Sequence, residues 1–424
     1  MAKNDNLTDF MIDVANAIRA KKNTSIPINP QNFSAEILSI TTGEGGDGEG
    51  ESVGISASLR ESDVNFRDFD GTLLYSYTKE EFLSLSSMPS LPSQLDMICQ
   101  DWNWSYADAR SYVEEYGVLE IGAIYITDDG STRIVINIPT KDYLLVYLQV
   151  YLTSSSGVDM SINWGDGVIQ RITASGNQTI QHSYSTIGRY KITMLPSDST
   201  KLYMGGGNSS YSIVGTSQSA PSRLGHIVEE IYIGKNVPYV WGYSFQYLNR
   251  LFKISIPNGI TRIDKYAFLR CFNLRYLSLP NSCTTINESA FNLCSAFTAV
   301  SIPNSCTSVP RNTFASCTAL RAITLPPQLT ALAYALFSDV KGLQTVIVPK
   351  TVTNVYDSAF YNCTYLFKVD FSRHESVPTL EAQTAFSSST GVKIIVPDAL
   401  YDQWKSAANW ANLVNNIVKA SEYN

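Results

Sequence analysis

The sequence predicts a multidomain α+β chain whose C-terminal part is a solenoid of repeated rungs. Three observations support this fold class. Proline and phenylalanine recur at a fixed step of 23 residues, residues 41–52 contain no apolar side chain, and apolar and polar residues alternate from 141 to about 200. A chain of 424 residues also exceeds what one hydrophobic core supports. We therefore expect several domains, one of them built from repeats.

The composition indicates a globular protein with few charges. Charged residues make up 16% of the chain, against about 25% in an average protein. The net charge is −7, with no basic run to oppose it, so nucleic acid and anionic membranes are not predicted partners. Residues 1–22 lack the continuous apolar stretch of a secretory signal, and no later segment is long enough to cross a bilayer, so we expect no membrane insertion.

Residues 1–40 are predicted to form a helical hairpin that anchors or assembles the protein. The apolar residues of its first helix recur at helical spacing, at Leu7, Phe10, Met11, Val14 and Ile18, and a second short helix carries Phe33, Ile37 and Leu38. Such a small unit has little core of its own, so we interpret it as docking on another chain or on copies of itself. The alternative is that it caps the next domain. Residues 41–52, rich in glycine and acid, are a predicted linker.

Residues 53–140 are predicted to form a small α+β domain. An extended stretch around residues 66–77 turns at Asp70 and Gly71, and a helix is expected near residues 79–85. A second helix begins at Ser105 and ends at Gly117. Residues 123–127 and 132–138 are expected to pair as a hairpin around a turn at 128–130.

Residues 141–227 are predicted to form a β-sandwich with a connecting loop. Its marks are the turn Trp164-Gly165-Asp166-Gly167 and a later stretch that carries His182, Tyr184, Gly188 and Tyr190. The two glycines can supply the positive φ angles that the turn around Asp166 requires, so we interpret Asp166 as a turn residue. These motifs resemble the PKD-like, immunoglobulin-type sandwich, and the resemblance implies that fold.

Residues 228–371 carry the repeat. Proline recurs at Pro257, Pro280, Pro303, Pro326 and Pro349, and phenylalanine at Phe245, Phe268, Phe291, Phe314, Phe337 and Phe360. Three apolar columns that begin at Leu251, Ile254 and Ile256 keep the same step, so each rung has the pattern L-x-x-I-x-I-P. No rung can bury these columns alone, and neighbours must therefore stack into a solenoid of about seven rungs. The pattern resembles the BspA-type leucine-rich repeat.

Cysteines, outward strand positions and the C-terminal segment complete the description of the repeat. Cysteines share columns, with Cys271, Cys294, Cys317 and Cys363 in one and Cys283 and Cys306 in another, which favours small buried groups over a ladder of disulfides. The outward strand positions Ser255, Ser278, Ser301 and Thr324 are small and polar and do not indicate a ligand. Residues 372–424 are predicted to form a cap, with Trp404, Trp410, Leu413 and Ile417 on one helix.

The sequence contains no convincing catalytic motif. Residues 68–72 match the D-x-D-G-T motif of haloacid-dehalogenase-type phosphotransferases, but the preceding strand is mixed and no α/β domain follows to supply the other groups. His182, His226 and His374 lie far apart, without metal-ligand spacing. We therefore predict a protein that is not an enzyme, with no catalytic residues, no cofactor and no metal site.

An aromatic cluster on the first rung is the candidate recognition surface. It consists of Tyr239, Trp241, Tyr243 and Tyr247, close to Tyr203 and Tyr211. Aromatic clusters are common at recognition sites. The alternative is that these rings seal the open end of the solenoid against the sandwich.

The order of parts resembles a group of tail- or fibre-associated proteins from bacteriophages of gut bacteria. The matching stretches are residues 7–22, 25–37, the D-W-N-W segment at Asp101 and 121–130, followed by the WGDG module and the repeats. The resemblance implies a structural virion protein, made in the host cytoplasm, that projects from the particle and contributes to attachment to the host surface. Its implied partners are other virion proteins, bound through residues 1–40, and a host-surface glycan or protein. A homotrimer is expected by analogy with fibres.

Two alternative functions stay open. One is a head fibre that decorates the capsid rather than a tail component. The other is a bacterial cell-surface adhesin of the BspA type, which requires an export signal and a wall or membrane anchor, and we expect neither.

Overall fold

The computed structural model describes residues 63–205, 213, 225–389 and 391–423, whose regular structure is mostly β-strand. The predicted N-terminal hairpin and the linker at 41–52 lie outside the described residues, as does Tyr211.

The first part of the described chain is a four-stranded sheet with two helices. Its elements are β1 (Val64–Arg67), β2 (Leu73–Tyr77), α1 (Lys79–Ser84), β3 (Met97–Trp102), α2 (Tyr106–Tyr116) and β4 (Leu119–Thr127). The strand order is β2-β1-β4-β3, and only β1 and β4 run parallel. As predicted, Ser105 caps α2, accepting a hydrogen bond from the backbone of Asp108, and Gly117 ends it with a φ of +87°. We call residues 63–127 the docking domain.

Two sheets form the next part, a β-sandwich. Its strands are β5 (Thr132–Ile138), β6 (Leu145–Ser154), β7 (Met160–Asn163), β8 (Ile169–Ile172), β9 (Gly176–Ser183), β10 (Gly188–Pro196) and β11 (Thr200–Met204). One sheet contains the order β5-β10-β7-β8 and the other the order β11-β6-β9. Leu148 from one sheet and Ile162 and Met194 from the other belong to the same buried core. Successive side chains of a strand point to opposite faces, so every second residue faces the core, which explains the alternation in the sequence.

The predicted hairpin of residues 123–127 and 132–138 is wrong. The turn is present, because the amide of Gly130 donates to the carbonyl of Thr127 at 3.0 Å. However, β4 is already flanked by β1 and β3, and β5 is flanked by β10 and a strand of the solenoid. A strand has only two hydrogen-bonding edges, so β4 and β5 cannot also pair. The turn therefore separates two domains, and β5 belongs to the sandwich.

The solenoid has two rows of short parallel strands. The front row contains β12 (Val228–Tyr232), β13 (Lys253–Ser255), β15 (Tyr276–Ser278), β17 (Ala299–Ser301), β18 (Ala322–Thr324), β20 (Thr345–Ile347), β22 (Lys368–Asp370), β24 (Lys393–Val396) and β25 (Ile417–Lys419). The back row contains β14 (Arg262–Ile263), β16 (Thr285–Ile286), β19 (Ala331–Leu332), β21 (Asn354–Val355) and β23 (Thr379–Leu380). Partners along both rows are mostly 23 residues apart, as the sequence predicted.

The interior of the solenoid is a stack of identical side chains. Phenylalanines at the predicted positions are fully buried, and their ring centroids lie 5.1 to 6.2 Å apart from Phe245 through to Phe386. All seven cysteines are free thiols. Cys271 and Cys294 donate to the carbonyls of Phe245 and Phe268 at 3.0 and 3.2 Å, and burial raises the pKa of both thiols. The columns of cysteines are therefore buried small groups, as predicted.

The repeat continues beyond Phe371, and the predicted single capping helix is wrong. Val369 pairs with Ile394, two residues later than the regular step, and Ile394 pairs with Ile417 at the regular step. Trp404 lies on a short helix, α3 (Tyr401–Ser406). The following segment, Trp410–Asn416, is a 3₁₀ helix in which Leu413 departs from helical angles. The apolar spacing that suggested one helix arises from two short helical segments between β24 and β25.

β4 of the docking domain lies across the front row. The hydroxyls of Ser255 and Ser301 donate to the carbonyls of Tyr125 and Glu120 at 2.7 and 2.6 Å, and Thr324 Oγ1 accepts from the amide of Glu120 at 3.0 Å. The predicted outward positions are accordingly at most 4% exposed. Backbone partners within the same chain explain the small polar side chains of Ser255, Ser301 and Thr324, whereas the buried hydroxyl of Ser278 has no such partner among the described residues.

The sandwich is joined to the solenoid by a continuous sheet. β12 pairs antiparallel with β5 and parallel with β13, so a six-stranded sheet crosses from one part into the other. Without β5, the first rung would present an unpaired strand edge.

Candidate recognition cleft

Three of the four predicted recognition residues line one open cleft. Tyr239, Trp241 and Tyr243 are half-buried and border a cleft of about 750 Å³ on the first rungs of the solenoid. The fourth, Tyr247, does not line the cleft; its ring lies 5.3 Å from the guanidinium of Arg270.

The aromatic walls of the cleft are held in place by the sandwich. Trp241 stacks on Tyr203 of β11 with centroids 4.7 Å apart, and its ring lies 5.3 Å from Tyr151 of β6. Tyr239 meets Tyr203 edge-on at 5.3 Å. These rings therefore contact the sandwich, as expected if they seal the open end of the solenoid. The rest of their surface borders the cleft. Packing of this kind fixes the orientation of Trp241.

Polar side chains on the next two rungs complete the cleft. Arg262 Nε lies 2.8 Å from Asp264 Oδ1, and Nη2 of the same guanidinium donates to Oδ2 at 3.1 Å. Asn287 Nδ2 donates to Asp264 Oδ1 at 2.8 Å, and the Arg262 guanidinium lies 3.9 Å over the ring of Tyr239. Glu288 forms an ion pair with Arg311 at 2.7 Å. The polar part of the cleft therefore consists of the connected side chains Arg262, Asp264 and Asn287 and of a separate ion pair between Glu288 and Arg311.

These polar residues were missed in the sequence, although a signal was present. Trp241, Asp264, Asn287 and Pro310 are spaced by the 23-residue step, and all four line the cleft. Lys265 and Glu288 occupy the next column. Because consecutive rungs stack, residues that are 23 apart lie side by side. The column that contains Trp241 therefore predicts that Asp264 lies next to Trp241 and Asn287 next to Asp264.

The turn geometry of the rungs brings a second tyrosine to Tyr243. Tyr243 and Tyr266 stack with centroids 5.1 Å apart, and both have left-handed backbone conformations, with φ of +65° and +58°. Left-handed residues recur at this step and again four residues later, for example at Tyr247 and Arg270. The solenoid turn, rather than the side chain, therefore imposes this backbone conformation.

A second cleft, of about 440 Å³, is lined by four cations and carries no free positive charge. Arg133 and Arg189 are paired with acidic residues, and Lys191 and Lys253 lie 3.5 and 3.7 Å from Asp96 and Asp70. Because each cation has its own carboxylate, the cleft is not suited to an anionic ligand.

The D-x-D-G-T stretch forms the turn between β1 and β2. The amide of Asp68 donates to the carbonyl of Thr72 at 2.8 Å, and that of Gly71 to the carbonyl of Asp68 at 2.9 Å. Asp68 is buried, which raises its pKa, and its carboxylate accepts from the amide of Phe69 and the side chain of Gln94. The motif therefore closes an antiparallel hairpin, with its first carboxylate engaged inside the domain.

The WGDG stretch is a turn between β7 and β8. Gly165 and Gly167 have φ of +84° and +95°, as predicted. Asp166 accepts from the amide of Val168 at 3.2 Å and lies 2.7 Å from His182 Nε2, whose ring stacks on Trp164 at 4.8 Å. This arrangement accounts for the motif as a structural unit of the sandwich.

Neither a metal site nor a membrane-spanning helix occurs among the residues that the structure describes. Among them, no three histidine, cysteine or acidic side chains are grouped as metal ligands would be. No helix in the described part of the chain combines the length and apolar character that crossing a bilayer requires.

The repeat region matches a known family model. Residues 225–332 and 290–407 match the BspA type leucine rich repeat region, in six copies. Together these residues are slightly less than half of the chain. The solenoid is therefore a BspA-type leucine-rich repeat, and the residues before it are not covered by the match.

Solved structures of bacterial leucine-rich repeat proteins are similar to part of the chain. A protein from Bacteroides ovatus is 21% identical, over 40% of this chain and 55% of that one, with a TM-score of 0.32. A leucine rich cell surface protein from Faecalibacterium prausnitzii is 20% identical, over 42% and 62%, with a TM-score of 0.26. One from Eubacterium ventriosum is 23% identical, over 44% and 48%, with a TM-score of 0.36. The chain thus spans about half the length of the first of these relatives. No curated protein sequence matches the chain.

Proposed function

We propose that this chain is a non-enzymatic recognition protein that binds a cell surface through the aromatic cleft. The observation that carries the proposal is the contrast between two faces. Solenoids of this kind commonly bind ligands on the surface that their strand row lines. Here the Ser255-to-Thr324 column of that surface is buried against β4, whereas Tyr239, Trp241 and Tyr243 border an open cleft.

The first candidate setting is the surface of a bacterium. The match of residues 225–407 to the BspA type of repeat supports it, because repeats of this type occur in bacterial cell-surface adhesins. In this setting the docking domain and sandwich hold the solenoid rigid, and the cleft contacts a host tissue or a neighbouring cell.

The second candidate setting is a bacteriophage particle. The resemblance of residues 7–22 and 25–37, with the modules that follow, to phage tail- or fibre-associated proteins supports it. The chain would then be a fibre or tail-associated component, or a head fibre. Residues 1–40 would bind other virion proteins or further copies in a trimer, and the cleft would contact the bacterial host.

Binding by the cleft is tested with the full chain and with intact cells. Fluorescently labelled protein is incubated with cultured gut bacteria and with epithelial cells, and bound label is measured by flow cytometry. We expect saturable binding that falls about tenfold or more in Trp241→Ala, because buried aromatic anchors dominate interface energies. Tyr365→Ala is the matched control, since Tyr365 is 70% exposed and lies outside the cleft. No binding to either cell type, or equal loss in both variants, would reject the proposal.

The two settings are separated by locating the native protein. Antibodies against the full chain are applied to intact cells of the producing culture and to particles purified from its supernatant. Label on the cell envelope supports the adhesin, and label on particles that contain a phage genome supports the virion protein.

A further inference from the structure

The chemistry of the cleft points to one class of ligand. Its aromatic side is formed by Tyr239, Trp241 and Tyr243, and its polar side by Arg262, Asp264 and Asn287. A pyranose ring has the same two-sided character, with a face of C–H groups and an edge of hydroxyls. Aromatic faces pack on the former, and carboxylate, amide and guanidinium groups bind the latter in fixed geometry.

The paired charges of Arg262 and Asp264 favour a neutral ligand, although Lys265, which also lines the cleft, is exposed and forms no ion pair with a described residue. The two contacts between Arg262 and Asp264, at 2.8 and 3.1 Å, satisfy both charges within the protein. Glu288 is likewise paired with Arg311. An anionic ligand would have to compete with Asp264 for the guanidinium, and a cationic ligand with Arg262 for the carboxylate. Hydroxyl groups need no such exchange, because carboxylate oxygens have lone pairs left over after binding one arginine.

The size and openness of the cleft also fit a small polyhydroxylated ligand. Its volume of about 750 Å³ lies inside the range of roughly 300 to 1,000 Å³ found for small-molecule sites. Its rings are held by the sandwich through Tyr203 and Tyr151 before any ligand arrives. Binding therefore orders few side chains, which reduces its entropic cost.

We propose that the cleft formed by Tyr239, Trp241, Tyr243, Arg262, Asp264 and Asn287 binds a neutral oligosaccharide of a cell surface. This inference rests on the proposed function and specifies its ligand. The sugar face stacks on Trp241 or Tyr239, and its hydroxyls bind the network of Asp264 and Asn287.

The protein contains its own reporter for this site. Of its six tryptophans, Trp102, Trp104, Trp164, Trp404 and Trp410 are at most 2% exposed, and only Trp241 is half-buried and borders the cleft. Acrylamide quenches accessible tryptophans, so the quenched part of the fluorescence should come from Trp241. A ligand in the cleft should protect it.

The experiment uses the full chain and an array of neutral oligosaccharides built from hexoses and N-acetylhexosamines. Acidic oligosaccharides and peptides serve as comparison probes. A neutral oligosaccharide that binds is titrated by calorimetry and by acrylamide quenching. We expect it to protect Trp241 and to bind about tenfold or more weakly to Tyr243→Ala and Asp264→Asn. The control Tyr365→Ala should bind as the unchanged protein does. Thermal melting checks that each variant is folded, and Asp264→Asn retains the shape of the side chain if an alanine variant does not fold.

The outcomes separate the ligand class from the broader proposal. Binding of acidic oligosaccharides or peptides alone, or neutral binding that neither protects Trp241 nor weakens in the variants, overturns the inference. If the array shows no binding while labelled protein still binds cells through Trp241, the oligosaccharide inference fails and the proposed recognition function stands. If cells are not bound either, the proposed function fails as well.

Discussion

Ser301 Oγ donates a 2.6 Å hydrogen bond to the carbonyl oxygen of Glu120, across 181 residues of sequence. The same hydroxyl accepts a hydrogen bond of 2.7 Å from the side-chain amide of Asn103. Asn103 in turn accepts from the amide of Gly122 at 2.8 Å. The docking domain is thus attached to the front row by hydrogen bonds of the backbone of its own strand β4 and of the side chain of Asn103.

Ser301→Ala should destabilise the protein by about 1 to 3 kcal/mol, because the buried carbonyl of Glu120 loses its bond to the hydroxyl and the side-chain amide of Asn103 keeps only its 3.4 Å bond to the Ser301 carbonyl. The free energy of unfolding, measured in urea, reports the change. Ser295→Ala is the control, since the Ser295 hydroxyl makes only an exposed 3.3 Å bond to Phe272. Equal effects of the two substitutions would contradict the interpretation of the front-row column.

Gly122→Ala should cost about 1 to 3 kcal/mol by overpacking. A Cβ atom at this position would lie 2.1 Å from Ser278 Oγ and 2.7 Å from the hydroxyl of Tyr276. Ser278→Gly in the same chain should recover part of the loss, which a double-mutant cycle measures. Additive effects of the two substitutions would show that the residues do not meet.

His374→Phe should reduce the loss of stability that occurs as the pH falls below 6.5. Burial lowers the pKa of His374 below its ordinary value of 6.5, although the carbonyl of Phe371, 3.1 Å from Nδ1, and the charge of Asp370 oppose this shift. The unfolded chain therefore binds the proton at higher pH than the folded protein. The stability that this histidine contributes is complete above pH 6.5 and falls as the pH drops through the folded pKa.

Urea unfolding at several pH values measures this difference between the variant and the unchanged protein. His226→Gln is the control, because His226 is exposed. The prediction would be contradicted if the free energy of unfolding fell as steeply with decreasing pH in His374→Phe as in the unchanged protein.

Ser316→Gly should be more stable than Ser316→Ala by about 1 kcal/mol, because an alanine Cβ is strained in the left-handed conformation. Ser316 has a φ of +60°, as its counterparts in neighbouring rungs do. The same pair of substitutions at Ser308, which is exposed and is not among the residues with positive φ, should show the opposite order. Thermal melts of the four variants test the prediction, and the same order at both positions would contradict it.

The repeat could be predicted from the sequence because every rung meets the same environment. Phe268 and Phe291 occupy equivalent positions, so one buried ring predicts the next. The last two rungs were missed for a local reason. The two extra residues between Val369 and Ile394 shift the step, and tryptophans at Trp404 and Trp410 imitate helical spacing.

The docking of β4 could not be predicted, because it depends on partners far away in the sequence. Small polar residues such as Ser278 and Thr324 fit a column that is exposed to water and also one that is buried against a backbone. Their residue type alone could therefore not indicate that this column is buried. The pairing of β5 was missed for the same reason, since its neighbour β12 lies about 90 residues later. For the cleft, three of the four predicted aromatic residues line it. Arg262 and Asp264 were not predicted, although Asp264 lies in the 23-residue column of Trp241.

The shared sheet at β5 has a mechanical consequence. Residues 133 to 136 of β5 are bonded on one side to β10 and on the other to β12. Tension applied at the cleft therefore reaches the sandwich through backbone bonds of one sheet and does not pass through a hinge. Paired strands can slide apart only if several hydrogen bonds break at once. The cleft and the sandwich should therefore resist the drag of flowing fluid together.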